Sequence, residues 1–293
     1  MNISIIIVNY KVKDLLDNCL QSIFSNSENI ELDVIVVDNN SQDGSVEMVK
    51  KKYPQINLIA SPENLGFAKA NNLGFQKAKS PHLKKGDGDK YDYILLLNPD
   101  MKLFPNTLEN ALKWANMHPQ AQVIGCHLID QNNQTIFHIR QFPTLLDQLA
   151  IILKLPHIFP QILNKYLRKK FDYSQASKVD SVRGAFFLVQ RKTYEGLQGL
   201  DEKYFVWFEE VDFCKKVYES GGEVWYTPDA KCIDYVGKSF SQVPRGVTQK
   251  YFRDSMLKYF KKWHPCWQWI ILKIAWVIGA LLAKLKIKSQ IKT

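Results

Sequence analysis

The chain has 293 residues, 39 Lys and Arg against 29 Asp and Glu, and a formal net charge of +10. Its 46% hydrophobic and 12% aromatic residues are ample for a core and exclude intrinsic disorder. The last 49 residues hold 11 of the basic side chains and a single acid, Asp254, leaving 28 of each sign over residues 1–244. A neutral body with a basic end speaks against nucleic acid as partner and for an anionic surface met at one place.

The N-terminus has no basic n-region and no small-residue cleavage site, so it reads as a strand and not as a secretory signal. Five scattered cysteines, Cys19, Cys126, Cys214, Cys232 and Cys266, form no C-x-x-C, which suits a reducing compartment. A cytoplasmic protein is expected. Ile3–Val8 is apolar and β-branched apart from Ser4, the pattern of a strand buried on both faces. Leu15 to Phe24 follow at helical spacing, Val34–Val37 is a second buried strand ending at Asp38, and Ser45–Lys52 is a short helix closed by cations. Leu58–Ala60, Phe67–Ala78 and Tyr93–Leu97 continue the alternation, with a polar loop over Pro81–Lys90. A βαβαβαβ order predicts an α/β fold with a mostly parallel sheet covered on both faces. Beyond residue 100 the pattern gives a helix over Thr107–Met117 and strands over Val123–Cys126 and Ala185–Gln190. Prolines interrupt residues 141–178; then come a helix over Val211–Glu219 and two short strands, Glu223–Tyr226 and Lys231–Ile233.

In open α/β sheets, ligands sit beyond the carboxyl ends of the strands. Those ends carry Asn9-Tyr10, Asp38-Asn39-Asn40 and Asn98-Pro99-Asp100. The dinucleotide fingerprint is absent after the first strand, and Gly237-Lys-Ser239 lacks the upstream glycine of a P-loop. A nucleotide site made of carboxylates needs a divalent cation between them and the phosphates. Asn98-Pro-Asp100 fits that need and is equally good turn sequence. The second cluster is Trp207-Phe-Glu-Glu-Val-Asp212, where aromatic packing would raise a carboxylate's pKa toward that of a general base. Acids favoured by a helix N-terminus are the plainer account of Glu209 and Asp212.

Seven segments in order carry a resemblance: Ser4–Tyr10, Val37–Ser45, Asn64–Asn72, Leu96–Asp100, Val179–Ala185, Leu200–Phe205 and Glu209–Phe213. Over residues 2–240 the chain resembles the inverting glycosyltransferases of family 2, with the GT-A fold, in their bacterial rhamnosyltransferase-like branch. The resemblance implies that Asp38, Asn9, Tyr10 and Asn40 hold the nucleoside, and that Asn64, Gly66 and Asn72 border nucleotide and donor sugar. Asp100 would coordinate Mg²⁺ or Mn²⁺, with Asn98 in place of the first Asp of a D-x-D motif. Glu210, or its neighbour Glu209, would be the catalytic base, where many relatives have Asp. Asp234 stands where the family often has a metal-binding His; metal ligand and ordinary loop acid are both open readings.

In the tail, Tyr251–Lys262 is a basic helix and Trp267–Ala283 is apolar except for Gln268 and Lys273. That run spans roughly 25 Å, short of a hydrocarbon core of about 30 Å. Four of the seven tryptophans, Trp263, Trp267, Trp269 and Trp276, lie here among lysines, as interfacial anchors do. A helix in the membrane interface is the favoured placement, against a true span or a helix packed on the body. The expected division is a catalytic domain over 1–244 and a membrane-associating tail over 245–293. The expected function is metal-dependent, inverting transfer of a sugar from a UDP- or dTDP-sugar to a glycan or lipid-linked acceptor. The site would be the inner face of the cell membrane, with the protein peripheral or monotopic, and rhamnose is the sugar the branch suggests. The competing readings are an inactive nucleotide-sugar-binding module and a nucleotidyltransferase; the latter lacks its Gly/Arg/Lys-rich loop after the first strand.

Overall fold

The computed structural model describes residues 2–27, 30–78, 92–235, 237 and 243–290, with 280–290 as backbone only; the loop expected over Pro81–Lys90 lies outside them. The first half runs β1 (Asn2–Asn9), α1 (Lys13–Phe24), β2 (Glu31–Asp38), α2 (Ser45–Lys52), β3 (Asn57–Ala60), α3 (Gly66–Ala78) and β4 (Tyr93–Leu97). Then come β5 (Met101–Leu103), α4 (Thr107–Met117), β6 (Ala121–Ile129), α5 (Leu145–Ile152), β7 (Ser177–Lys178), β8 (Phe186–Gln190) and α6 (Arg191–Gly196). The chain closes with α7 (Glu209–Glu219), β9 (Glu223–Asp234), α8 (Arg245–Trp263) and α9 (Cys266–Gln290).

The strands form one sheet in the order β3-β2-β1-β4-β8-β6-β9-β5, with β7 on β9. β1 to β4 are parallel, β6 runs parallel to β9, and β8 lies antiparallel between β4 and β6. The side-chain period of two divides the central strands between two cores. Ile5, Ile7, Leu95 and Leu97 face α1, α2 and α4, while Ile6, Val8, Ile94 and Leu96 face α3 and α7. Strand order reverses at β1 and β4, which opens the ligand crevice at their carboxyl ends.

Two readings change. The two short strands expected near the end of the body are one twelve-residue strand, β9. Its register on β6 shifts between Gly125 and His127, opposite the stretch that contains Pro228, where a residue without an N–H breaks the ladder but not the strand. The helix expected from Val211 starts at Glu209, which puts Glu209 and Glu210 in its first turn. Trp207 and Phe208 before it are both left-handed, with φ of 66° and 70°. For aromatic residues that conformation is unfavourable and must be held by packing.

Packing comes from a third cluster, in which Phe208 and Tyr204 meet Met256, Tyr259 and Phe260 of α8 and Leu272 and Ala275 of α9. Ser255 Oγ donates to the Val206 carbonyl at 2.8 Å, across the boundary expected at residue 244. No helix among the described residues is long and apolar enough to cross a membrane. One face of α9 rests on the body, while Trp267, Ile270, Ile271, Ile274, Val277 and Ile278 remain exposed.

Candidate active site

The strand ends are joined by a buried hydrogen-bond network. The Asn9 amide, buried at the end of β1, donates to Asp38 Oδ2 at 2.8 Å and to Ser41 Oγ at 3.0 Å. The Ser41 N–H returns a bond to Asp38 Oδ1 at 2.9 Å, and the Lys11 N–H donates to Ser41 Oγ at 3.0 Å. Parallel pairing puts Asn9 beside Asp38, so the sheet register itself joins the two motifs.

Above this rim lies a cavity of about 670 Å³. Of the residues singled out from sequence, Tyr10, Asn64, Gly66, Asn98, Asp100, Glu209 and Glu210 line it. Asn9 and Asp38 lie beneath, buried in the network that shapes its floor. Asn40 accepts a bond from Gln42 and is not a lining residue; its neighbour Asn39 is, and the Asn39 amide donates to the Gly66 carbonyl at 3.0 Å. Asn72 is turned the other way. It accepts from Tyr194 Oη at 2.7 Å and donates to the Leu200 carbonyl at 2.8 Å, tying α3 to the chain that leads into α7. Gly66 is the hinge point between the walls: it has φ +77°, and a Cβ there would lie 2.4 Å from the Phe205 carbonyl, so only glycine fits.

The opposite wall carries the acids. Glu209 is buried and Glu210 half-buried, and Oε2 of each accepts no hydrogen bond among the described residues. Burial, then the charge of Glu210, pushes the Glu209 carboxyl well above the usual range. Burial also raises Glu210, but the Arg183 guanidinium works against it. The Glu210 stem lies over Gly184, where an added Cβ would be 3.6 Å from its own.

Asp100 and Asp234 meet at the sheet edge. Antiparallel pairing sets Met101 against Asp234, and the Tyr235 N–H donates to the Asp100 carbonyl at 3.0 Å. Asp234 is 1% exposed and forms an ion pair with Arg183 at 2.9 Å. Burial raises its carboxyl to about 6, with Arg183 opposing and Asp100 adding to the shift. Among the described residues no three acidic, His or Cys side chains gather as a metal cage. The donor set instead suits a hard cation held by one or two carboxylates with substrate phosphates completing its shell. Asp100 fits that mode; Asp234 Oδ2 meets Arg183, and neither of its oxygens accepts a hydrogen bond among the described residues.

Arg183, Asn39 and Tyr251 are lining residues that were not singled out from sequence. Arg183 lies inside the segment Val179–Ala185, so a local signal for it existed. Tyr251 lies on α8 and packs its ring 4.6 Å from that of Phe205. With Val247 and Pro244 it makes the tail's first helix a wall of the cavity. The same helix is locked at its far end, where Asp212 accepts from Trp263 Nε1 at 2.7 Å and Lys262 Nζ at 2.8 Å.

The profile of Glycosyl transferase family 2 matches residues 4–196. The N-acetylglucosaminyl-diphospho-decaprenol L-rhamnosyltransferase of Mycobacterium tuberculosis is similar to the chain, with 23% identity over 293 residues that cover 98% of this chain and 94% of that protein. Rhamnosyltransferase WbbL of Escherichia coli is 25% identical over 232 residues, 79% of this chain and 82% of its own. Among solved structures, mannosyltransferase PcManGT from Pyrobaculum calidifontis, in complex with GDP-Man and Mn²⁺, superposes with a TM-score of 0.58 at 17% identity, covering 99% of this chain and 79% of its own. At that identity the likeness concerns the fold, which is of the GT-A type.

Proposed function

The chain belongs to glycosyl transferase family 2 and is a glycosyltransferase, and from that premise we propose that it moves a sugar, rhamnose by analogy with its relatives, from a UDP- or dTDP-sugar to a hydroxyl of a lipid-linked glycan. The observation that carries this reading is the meeting of two walls on one cavity, a rim of polar strand ends and an acid-bearing helix start. The name of the mycobacterial relative describes a diphospho-lipid acceptor, which suits a protein whose tail is basic and aromatic.

In this reading the network of Asn9, Asp38 and Ser41 fixes the floor under the nucleoside, and Tyr10, Asn39 and Asn64 border it. Asn98 and Asp100 face the diphosphate. A divalent cation held at Asp100 would supply neutralisation of the departing diphosphate charge. Glu210 takes the proton of the acceptor hydroxyl as that oxygen attacks the anomeric carbon from the opposite face, which inverts the configuration. Burial and the charge of Glu210 raise the Glu209 carboxyl, which favours its neutral form and limits negative charge beside the base. Arg183 holds Asp234 and favours the ionised form of Glu210. Residues 1–244 supply these groups, and 245–293 both complete the cavity wall and bring the protein to the cytoplasmic face of the membrane.

The test is a panel of nucleotide sugars assayed for transfer with Mn²⁺, with Mg²⁺ and with chelator, followed by NMR of the product's anomeric centre. Transfer that needs a divalent cation and inverts the anomer is expected. A retained anomer would overturn the mechanism, and donor binding without any transfer would leave the inactive binding module.

A further inference from the structure

The body's charge balance hides a second cationic stretch. Residues 148–171 contain Lys154, Lys165, Arg168, Lys169 and Lys170 and no acid, and residues 255–293 likewise contain none. These stretches are far apart in sequence, and the fold sets them side by side. α5 packs along α9: Gly279 of α9 lies where an added Cβ would meet both the Ile152 side chain and its carbonyl at 3.4 Å.

Each stretch also shows large apolar side chains to solvent. On and after α5 these are Leu146, Leu153, Ile158, Phe159 and Ile162, with Ile158 69% and Phe159 59% exposed. On α9 the exposed residues recur at three- and four-residue spacing, a stripe opposite the buried Leu272 and Ala275. Single exposed apolar residues are ordinary, but two such sets on packed elements, in stretches that carry cations and no acid, mark an interaction surface. The cations choose the occupant. A second copy of the chain would bring like charge against like charge, whereas anionic headgroups complement both stretches.

We infer that α9 and the segment from α5 through Ile162 form one bilayer-inserting face, with Ile158 and Phe159 as a second insertion point beside the tail. This deepens the membrane contact proposed for the tail and rests on it. It makes attachment two-point, which fixes the orientation of the cavity to the bilayer as a single helix lying in the interface does not.

The experiment uses the full chain and co-sedimentation with vesicles of phosphatidylcholine alone or mixed with phosphatidylglycerol. Two double variants are compared, Ile158→Asp with Phe159→Asp, and Ile274→Asp with Val277→Asp. All four positions are exposed, so thermal stability and nucleotide-sugar binding should stay at the wild-type level and report a folded protein. Each variant is expected to weaken partition into the mixed vesicles by about tenfold or more. Wild-type partition of the 158/159 variant with loss in the 274/277 variant would overturn the second insertion point and leave the tail contact standing. Wild-type partition of both would remove the whole membrane reading, while the transferase assay would stand apart. A dimer by light scattering that the 158/159 variant dissolves, with no vesicle binding by the wild type, would assign the face to a second copy and overturn the inference.

Discussion

The two walls of the cavity are built on opposite terms. In the strand-end wall Asn9, Asp38 and Ser41 share three bonds of 2.8 to 3.0 Å beneath the surface, and of this network the Asn9 amide oxygen accepts none among the described residues. The opposite wall leaves an oxygen of both Glu209 and Glu210 without a bond among the described residues, on a helix reached through two left-handed aromatic residues. A carboxylate held by two donors, as Asp38 is, gives that wall a fixed shape. Unmet acids and an unfavourable turn persist only because the third hydrophobic cluster holds them, and such features gather where chemistry is done. The contrast is sharpest at Glu210. Glu210→Gln keeps the shape and removes the proposed base, so we expect turnover to fall by roughly 10²–10⁴-fold, while donor affinity, assigned in the same proposal to the other wall, stays within about twofold. Steady-state kinetics alongside donor titration would check this, and near-normal turnover would break the division between the walls.

The next effect concerns what holds the acid wall in place. Asp212 is fully buried and accepts from Trp263, Lys262 and Tyr204. Asp212→Ala removes the shared acceptor of these donors, leaving Lys262 paired with Asp201 alone, and should lower stability by about 1–3 kcal/mol. Calorimetry should show a drop of several degrees in Tm. Below the transition, nucleotide binding should survive better than turnover, because only the acid wall leans on α8. Equal loss of both would mean that the two walls are not separately supported.

This asymmetry also explains what could be read in advance. β1, β2 and β4 announce themselves as apolar runs that end in polar residues, and the site residues of that wall sit at those ends, so pattern and place coincide. Tyr93–Leu97 and Thr107–Met117 match the observed elements residue for residue. The acid pair was visible as a motif. Its setting was not, because it depends on contacts between residues about fifty or more apart, such as Arg183 with Asp234 and Lys262 with Asp212. No local periodicity encodes those. The left-handed Trp207 and Phe208 were hidden for the same reason, since nothing in an aromatic pair signals a positive φ. Asn39 and Asn40 are identical in type, and only the turn geometry decides that the first lines the cavity.

A smaller effect separates the walls by pH. Burial and the neighbouring Glu210 raise the folded-state pKa of Glu209 above its ordinary value of about 4.3. A carboxyl raised on folding favours the native state below its unfolded pKa, and that contribution is lost as pH rises through the folded pKa. Glu209→Gln removes the penalty, so the variant's Tm should exceed the wild type's by a margin that grows with pH and vanishes in acid, at about 1.4 kcal/mol for each unit of raised pKa. Turnover should show the companion effect in the wild type, falling as the medium is acidified through the raised pKa of Glu210. A stability difference independent of pH would show that Glu209 is ionised in the fold.

The smallest effect belongs to the strand-end wall and should lack that pH signature. Ser41→Ala removes the acceptor of the Asn9 amide and of the Lys11 N–H, each at 3.0 Å. Asn9 keeps Asp38 as a partner, and Asp38 keeps the Ser41 backbone N–H, so the network loosens without collapsing. The expected loss is about 1 kcal/mol of stability, the ordinary net value of a hydrogen bond. Nucleotide affinity should weaken by about fivefold or less, with turnover at saturating donor little changed. Since no ionisable group is removed, the Tm difference should be flat from mild acid to neutral pH. A difference that instead tracked pH as the Glu209→Gln variant does would mean that charge, and not hydrogen bonding, shapes both walls.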